Sequence, residues 1–198
     1  SPEVAEFFRS IGMAFLQGYG LTECSPILAL NSDIDFIDAA AGKALPGVEI
    51  QIWEPNEEGI GEIVAKGPNI FEGYLDADEL NEEIFEGGYF HTGDMGYMDD
   101  SGFVFITGRK KCVIVTQNGK NIYPEEIEVL INAYPFVIES MVFGKTVEDS
   151  KEEIITASIY PDLEALEAEF KQSDPEFVKS KIKEMIHEVN SKLINYKM

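Results

Sequence analysis

Three short stretches carry side chains suited to handling a nucleotide. The first is Gly18-Tyr19-Gly20-Leu21-Thr22-Glu23. Two glycines let a backbone approach a ligand closely, because no Cβ stands in the way. The tyrosine offers a flat face to a purine, Thr22 a hydroxyl and an amide to a phosphate, and Glu23 a hard oxygen to a divalent cation. The competing reading is a tight turn whose tyrosine merely packs, and composition alone favours it. The second stretch is Phe90-His91-Thr92-Gly93-Asp94, where a short carboxylate beside a glycine suits the paired hydroxyls of a ribose. An ordinary Asx turn explains the same residues. The third is Thr107-Gly108-Arg109-Lys110-Lys111, followed by Gln117-Asn118-Gly119-Lys120. Arg109 can fork onto ribose or phosphate oxygens. A solvated basic linker is the plain alternative, and it is the reading kept for Lys110. His91 reads as a hydrogen-bonded strand residue, and Trp53, Phe103 and Phe105 as core.

Something must position these residues. Val4, Phe7, Phe8 and Ile11 recur at helical spacing behind Ser1 and Pro2, which suit a helix start. The run Met13–Leu16 then reads as a buried strand leading into the glycine-rich turn, the last piece of a parallel α/β sheet. Between 40 and 107 the texture is β-rich: Val48, Ile50 and Ile52 alternate with polar neighbours, and Gly61–Ala65 and Phe103–Thr107 are further strands. Turn signals separate them, an acidic helix near Asp76–Phe85 interrupts them, and the whole suggests a barrel-like subdomain. After Gly108 come a strand at Val113–Thr116, a hairpin turn at Asn118-Gly119, and a helix opened by Pro124. Strands near Val137–Phe143 and Ile154–Tyr160 follow, then a helix around Leu163, Leu166 and Phe170. A last helix starts at Ser173-Asp174-Pro175-Glu176, a capping box by its spacing. The expected organisation is residues 1–108 as one domain part, 109–111 as a hinge, and 112–198 as a small α+β domain.

Charge narrows the function. The 198 residues hold 15 Lys+Arg against 37 Asp+Glu, a net charge of −22. Residues 1–100 alone carry 3 basic and 21 acidic side chains. That balance argues against a nucleic-acid binder, which needs cations to displace phosphate counterions, and against a polybasic membrane module. Arg109, Lys110, Lys111 and Lys120 are therefore the place to look for anion binding. The two cysteines, Cys24 and Cys112, and two histidines, His91 and His187, form no disulfide framework or metal spacing. No run of 18 apolar residues exists, so a cytoplasmic location is expected, with a peripheral place at a membrane left open.

Read together, the stretches GYGLTE (18–23), GEIVAKGPNIFEGY (61–74), GYFHTGDMGYMDDSGFVFITGRKK (88–111) and NGKNIYPEEIE (118–128) occur in a familiar order. The chain resembles the AMP-forming acyl-CoA synthetases of the adenylate-forming superfamily, and most closely the bacterial long-chain fatty-acid–CoA ligases. The resemblance implies an α/β and α+β fold and a two-step reaction. A fatty-acid carboxylate attacks the α-phosphate of Mg-ATP to give acyl-AMP and pyrophosphate; coenzyme A thiol then displaces AMP. It further implies that Tyr19, with Gly18 and Gly20, lies against adenine, that Thr22 meets the α-phosphate, and that Glu23 ligates Mg²⁺. Asp94 would hold the ribose hydroxyls with Arg109 close by, Lys111 would be the hinge, and Gly119 and Lys120 would line the pantetheine tunnel.

The family's phosphate loop lies upstream of GYGLTE, and its distal Pro-Lys-Thr-x-x-Gly-Lys lysine lies beyond Tyr196. The expectation is therefore a C-terminal fragment, inactive by itself. Rival readings are a relative using aromatic or medium-chain acids, one that loads a carrier protein, a nucleotide-binding module without activity, and an acidic interaction surface with decayed motifs. Intact Thr22, Glu23, Asp94 and Arg109 argue against decay. Neither oligomeric state nor chain-length preference follows from the sequence.

Overall fold

The computed structural model describes residues 2–116, 120–146 and 153–196. The chain divides into two units, Ser1–Lys111 and Cys112–Met198. The first opens with helix α1 (Pro2–Ser10) and continues through strands β1 (Gly18–Tyr19), β2 (Ala29–Leu30), β3 (Gly42–Ala44), β4 (Glu49–Trp53) and β5 (Gly61–Lys66). Helix α2 (Asp78–Ile84) precedes β6 (Phe85–Glu86), β7 (Tyr89–Met98) and β8 (Phe103–Arg109). The strands join in the order β1-β2-β3-β8-β7-β5-β4, with β6 added to β7. Each of these pairings is antiparallel, and the path is open, ending at β1 and β4.

Alternation works as the sequence implies on β4, where Ile50 is buried between exposed Glu49 and Gln51. β5 differs. Every residue from Gly61 to Ala65 is buried, including Glu62. A strand covered on both faces is normally an unbroken apolar run, so the carboxylate is the exception on that strand.

Two expectations for the first residues need correcting. Met13–Leu16 is not a buried strand: no strand is assigned there, and Met13 and Leu16 are each more than half exposed. A parallel strand is buried by neighbours on both sides, and no described residues pair with this run. For the same reason the apolar face of α1 has correct spacing yet little cover. Val4, Phe7 and Ile11 are exposed, while Phe8 stacks on Phe15. The barrel-like subdomain is likewise an open sheet.

The second unit contains β9 (Ile114–Val115), β10 (Asn121–Ile122), α3 (Pro124–Asn132), β11 (Val137–Thr146), β12 (Glu153–Pro161), α4 (Leu163–Phe170) and α5 (Pro175–Tyr196). β9 pairs antiparallel with β10; the Asn118-Gly119 turn expected between them lies outside the described residues. β11 and β12 form a long antiparallel pair. The core joins Ile127 and Ile131 of α3, Val142 of β11, Leu166 of α4 and Val178, Met185 and Val189 of α5.

Helix starts follow local chemistry. Asp162 caps α4 by accepting from the Ala165 amide at 2.9 Å. The expected capping box of α5 is replaced by a single-residue cap. Asp174 Oδ1 accepts from the Glu176 and Phe177 amides, each at 3.2 Å, and the Ser173 hydroxyl donates to Glu167 instead. Asp174 wins because Pro175 fits the first helical position, which puts the cap one residue before it. Among the described residues no helix is long and apolar enough to cross a membrane.

Candidate nucleotide site

The 18–25 turn is fixed by its own backbone. Tyr19 lies in β1, and Thr22–Cys24 form one 3-10 turn. At Gly20 a Cβ would stand 1.8 Å from the Pro26 carbonyl oxygen, so no side chain fits there. The close approach that this glycine permits is thus to the chain's own backbone. Segment 69–71 clamps the turn: the Phe71 amide donates to the Glu23 carbonyl at 2.8 Å, and the Asn69 side chain donates to the Cys24 and Ile27 carbonyls at 2.9 and 2.8 Å.

Tyr19 links this turn to β7. Its residue is 7% exposed, and its hydroxyl donates to Asp94 Oδ2 at 2.7 Å. Burial, joined by the neighbouring Asp94 carboxylate, pushes the hydroxyl's pKa well above the ordinary tyrosine value. Asp94 is buried too, and its Oδ1 lies 2.9 Å from Arg109 Nε. Asp94 and Arg109 are register partners across β7 and β8. The guanidinium stays more than half exposed. Tyr19, Asp94 and Arg109 therefore form one chain of contacts from residues 75 and 15 positions apart in sequence.

Glu23 stands at the edge of this group. The Tyr74 hydroxyl donates to its Oε1 at 2.7 Å. That bond, a backbone hydrogen bond and the attraction of Arg109 hold the Glu23 carboxyl below the usual range; the same bond raises the Tyr74 hydroxyl. Thr22 is exposed beside it. Below the turn, burial pushes the Cys24 thiol up to about 11.

The strand that carries Asp94 is bent on purpose. β7 pairs with β5 through Glu62↔Met95 and Val64↔His91. One β5 residue, Ile63, thus faces three on β7: Thr92, Gly93 and Asp94. Gly93 adopts φ +73°, a left-handed conformation that favours glycine. Side chains satisfy the bulge: the Thr92 hydroxyl donates to the Ile63 carbonyl at 2.6 Å and accepts from the Asp94 amide at 3.1 Å. The Gly93 amide donates to Glu62 Oε1 at 3.1 Å.

The remaining expected residues are more scattered. Lys111 is exposed in a short 3-10 turn at Lys110–Cys112. Lys120 is exposed in the second unit, and Gly119 lies outside the described residues. Among the described residues no three His, Cys, Asp or Glu side chains cluster as a metal cage. A lone carboxylate such as Glu23 suits a magnesium ion that arrives with phosphates and water, since that ion is usually held by one or two carboxylates. Glu62, Asn69, Phe71 and Tyr74 all stand in the GEIVAKGPNIFEGY stretch that carries the resemblance, but the sequence reading gave none of them a role. Glu62 had a local signal as well, a charge inside an apolar run; for the other three no local signal points to a role.

Residues 1–75 match the family of AMP-binding enzymes. A putative acyl–CoA ligase, YdaB of Bacillus subtilis, is 40% identical over 144 residues, covering 69% of this chain and 28% of the relative. The long-chain-fatty-acid–CoA ligase FadD15 of Mycobacterium bovis is 36% identical over 141 residues, covering 71% and 23%. The chain belongs to the AMP-binding, acyl-CoA ligase family. Among solved structures it is similar to the o-succinylbenzoate CoA synthetase MenE of Bacillus subtilis. MenE in complex with the acyl-adenylate intermediate OSB-AMP superposes with a TM-score of 0.72 at 34% identity, covering 81% of this chain and 34% of MenE. MenE with ATP and a magnesium ion gives 0.69 at 33% identity, covering 79% and 34%. This member of the family spans about a quarter of the length of the curated relatives it matches.

Proposed function

We propose that the whole protein is an AMP-forming long-chain fatty-acid–CoA ligase. The carboxylate oxygen of the acid attacks the α-phosphorus of ATP, forming the acyl-phosphate bond and expelling pyrophosphate. The thiol sulfur of coenzyme A then attacks the acyl carbon, and AMP leaves with the bonding pair. The observation that supports this reading is the Tyr19–Asp94–Arg109 chain of contacts, which joins the 18–23 turn to the β7 carboxylate. Arg109 brings positive charge to an acidic chain where a polyanion would bind. Thr22 contacts the α-phosphate, and Gly18, Tyr19 and Gly20 form the adenine side. A magnesium ion brought in with ATP would rest on Glu23, and its charge would ease attack on phosphorus.

Residues 1–108 would then be the end of the nucleotide-binding domain, 109–111 a hinge turning at Lys111, and 112–198 the domain whose Gly119–Lys120 segment reaches coenzyme A. Closure of this kind would exclude water from a hydrolysable intermediate. The long-chain assignment is supported by FadD15 among the relatives, whereas the likeness to MenE favours a second reading, an aromatic acid such as o-succinylbenzoate. The deciding experiment follows AMP release by the whole protein with ATP and coenzyme A. Turnover with dodecanoate or palmitate and none with o-succinylbenzoate is expected. The reverse selects the second reading, and AMP binding without turnover on any acid would reduce the protein to a nucleotide-binding module.

A further inference from the structure

Glu62 is the buried carboxylate that the proposed chemistry does not use. It sits 5% exposed on a strand whose other buried residues are apolar or glycine. Three donors converge on it, two from β7 and one from the residue just after β8. Its Oε1 accepts from the Gly93 amide at 3.1 Å. Its Oε2 accepts from Lys110 Nζ at 2.6 Å and from His91 Nδ1 at 2.9 Å. A carboxylate in such a place is expensive to desolvate and persists only where it is paired and hydrogen-bonded.

Each bond answers a specific need. The bulge sets Thr92, Gly93 and Asp94 against Ile63 alone, so the Gly93 amide loses its ladder acceptor at the residue preceding Asp94. Glu62 supplies that acceptor. Lys110 is more than half exposed, yet its ammonium is drawn back onto this buried oxygen. It lies one residue before the end of the first unit. We propose that Glu62 is a positioning residue: one oxygen fixes the bulge that aims Asp94, and the other tethers Lys110, coupling the ribose carboxylate to the unit boundary. The inference rests on the reading of Asp94 as the ribose ligand. Burial alone would drive the Glu62 pKa up, but the bonds from Lys110 and His91 outweigh it and hold the group below the ordinary glutamate value, consistent with a permanently charged anchor.

The two oxygens can be separated by substitution in the whole protein. Glu62→Gln keeps a carbonyl oxygen for Gly93 and loses the charge that holds Lys110. Glu62→Ala loses both, and Lys110→Ala loses the tether alone. Glu62→Ala should weaken AMP binding about tenfold or more by calorimetry, while Glu62→Gln and Lys110→Ala stay within about threefold of the parent. Glu62→Gln and Lys110→Ala should also change the ratio of pyrophosphate exchange to thioester formation alike, by about threefold or more, which a general loss of stability would not do. Equal AMP affinities in Glu62→Ala and Glu62→Gln, or an unchanged ratio in Lys110→Ala, would overturn the proposal. Should Glu62→Ala fail to fold, the other two variants still decide the tether. If the parent binds no AMP, the ribose reading falls by itself. Hydrogen exchange at the Gly93 amide then judges Glu62: protection must drop about tenfold in Glu62→Ala and persist in Glu62→Gln, and equal protection in the two refutes the anchor.

Discussion

Of the polar and charged residues buried among the described residues, Asn31, Glu62, Thr92, Asp94 and Thr107 lie in the first unit and Ser140 in the second. The second unit joins aliphatic and aromatic side chains from three helices and two strand pairs into one core. Apolar packing stabilises without directing any group at a ligand. A buried carboxylate costs desolvation and is kept where it is bonded on several sides. Both units pack an apolar core; the first also buries the polar groups Glu62, Thr92 and Asp94 beside the candidate site.

The largest test of that contrast is a cavity in the second unit. Ile131 on α3 is fully buried. Ile131→Ala should cost about 2–5 kcal/mol, from lost transfer energy plus the void left behind. The single tryptophan, Trp53, reports on the first unit, while α3, α4 and α5 dominate the helical circular dichroism. The ellipticity transition should move to lower denaturant with Trp53 fluorescence unmoved. Coincident shifts would mean that the two units unfold as one.

Alkaline pH should strike the first unit. The Cys24 thiol is fully buried and raised from 9.0 to about 11. A folded-state value above the unfolded one means that the unfolded chain loses its proton first. The stability linked to Cys24 is therefore complete below about pH 9 and is lost as pH rises to about 11. The loss is on the order of 2–3 kcal/mol. Tyr19, raised for the same reason, extends the decline above pH 10. Denaturant midpoints read by Trp53 should fall across this window, and Cys24→Ala should flatten the part between pH 9 and 11. A fall just as steep in Cys24→Ala would contradict the assignment.

Asp94→Ala should follow at about 1–3 kcal/mol, because it leaves the buried Tyr19 hydroxyl without its acceptor. Arg109 adds little to this, since an exposed guanidinium is screened by water. Calorimetry should also find AMP affinity reduced about tenfold or more. Normal AMP affinity with the stability loss intact would make Asp94 a purely structural residue.

The sequence reveals the two units differently. From Val48 onward β4, β5, β8, β11, β12 and the helices follow from alternation, apolar runs and helical spacing, because their buried apolar residues meet partners within the same unit, whereas β6, the extent of β7, and β10 carry no such signal. Met13–Leu16 misleads because an apolar run declares that it prefers burial, not that a neighbouring strand is at hand to provide it. In the site, Tyr19, Asp94 and Arg109 come from recognisable motifs, but their union depends on the β7–β8 register, which no local signal carries. The Tyr19 hydroxyl turning onto Asp94 is equally invisible, since a tyrosine ring beside glycines reads as a platform. Glu62 could have been suspected from its apolar neighbours; its partners Gly93, His91 and Lys110 could not, because a bulge and a strand end bring them together.

The smallest effect concerns how α5 begins. If Asp174 is the cap, Asp174→Ala should cost about 1 kcal/mol, while Asp174→Asn should be nearly silent because the amide oxygen also accepts from the helix amides. Ser173→Ala should cost less than Asp174→Ala, because the Ser173 hydroxyl is spent on exposed Glu167 rather than on the helix. The second-unit ellipticity transition measures all three. A Ser173→Ala loss equal to that of Asp174→Ala would restore the capping box that the spacing Ser173 to Glu176 suggests. It would also show that helix entry here is governed by the sequence motif and not by the position of Pro175.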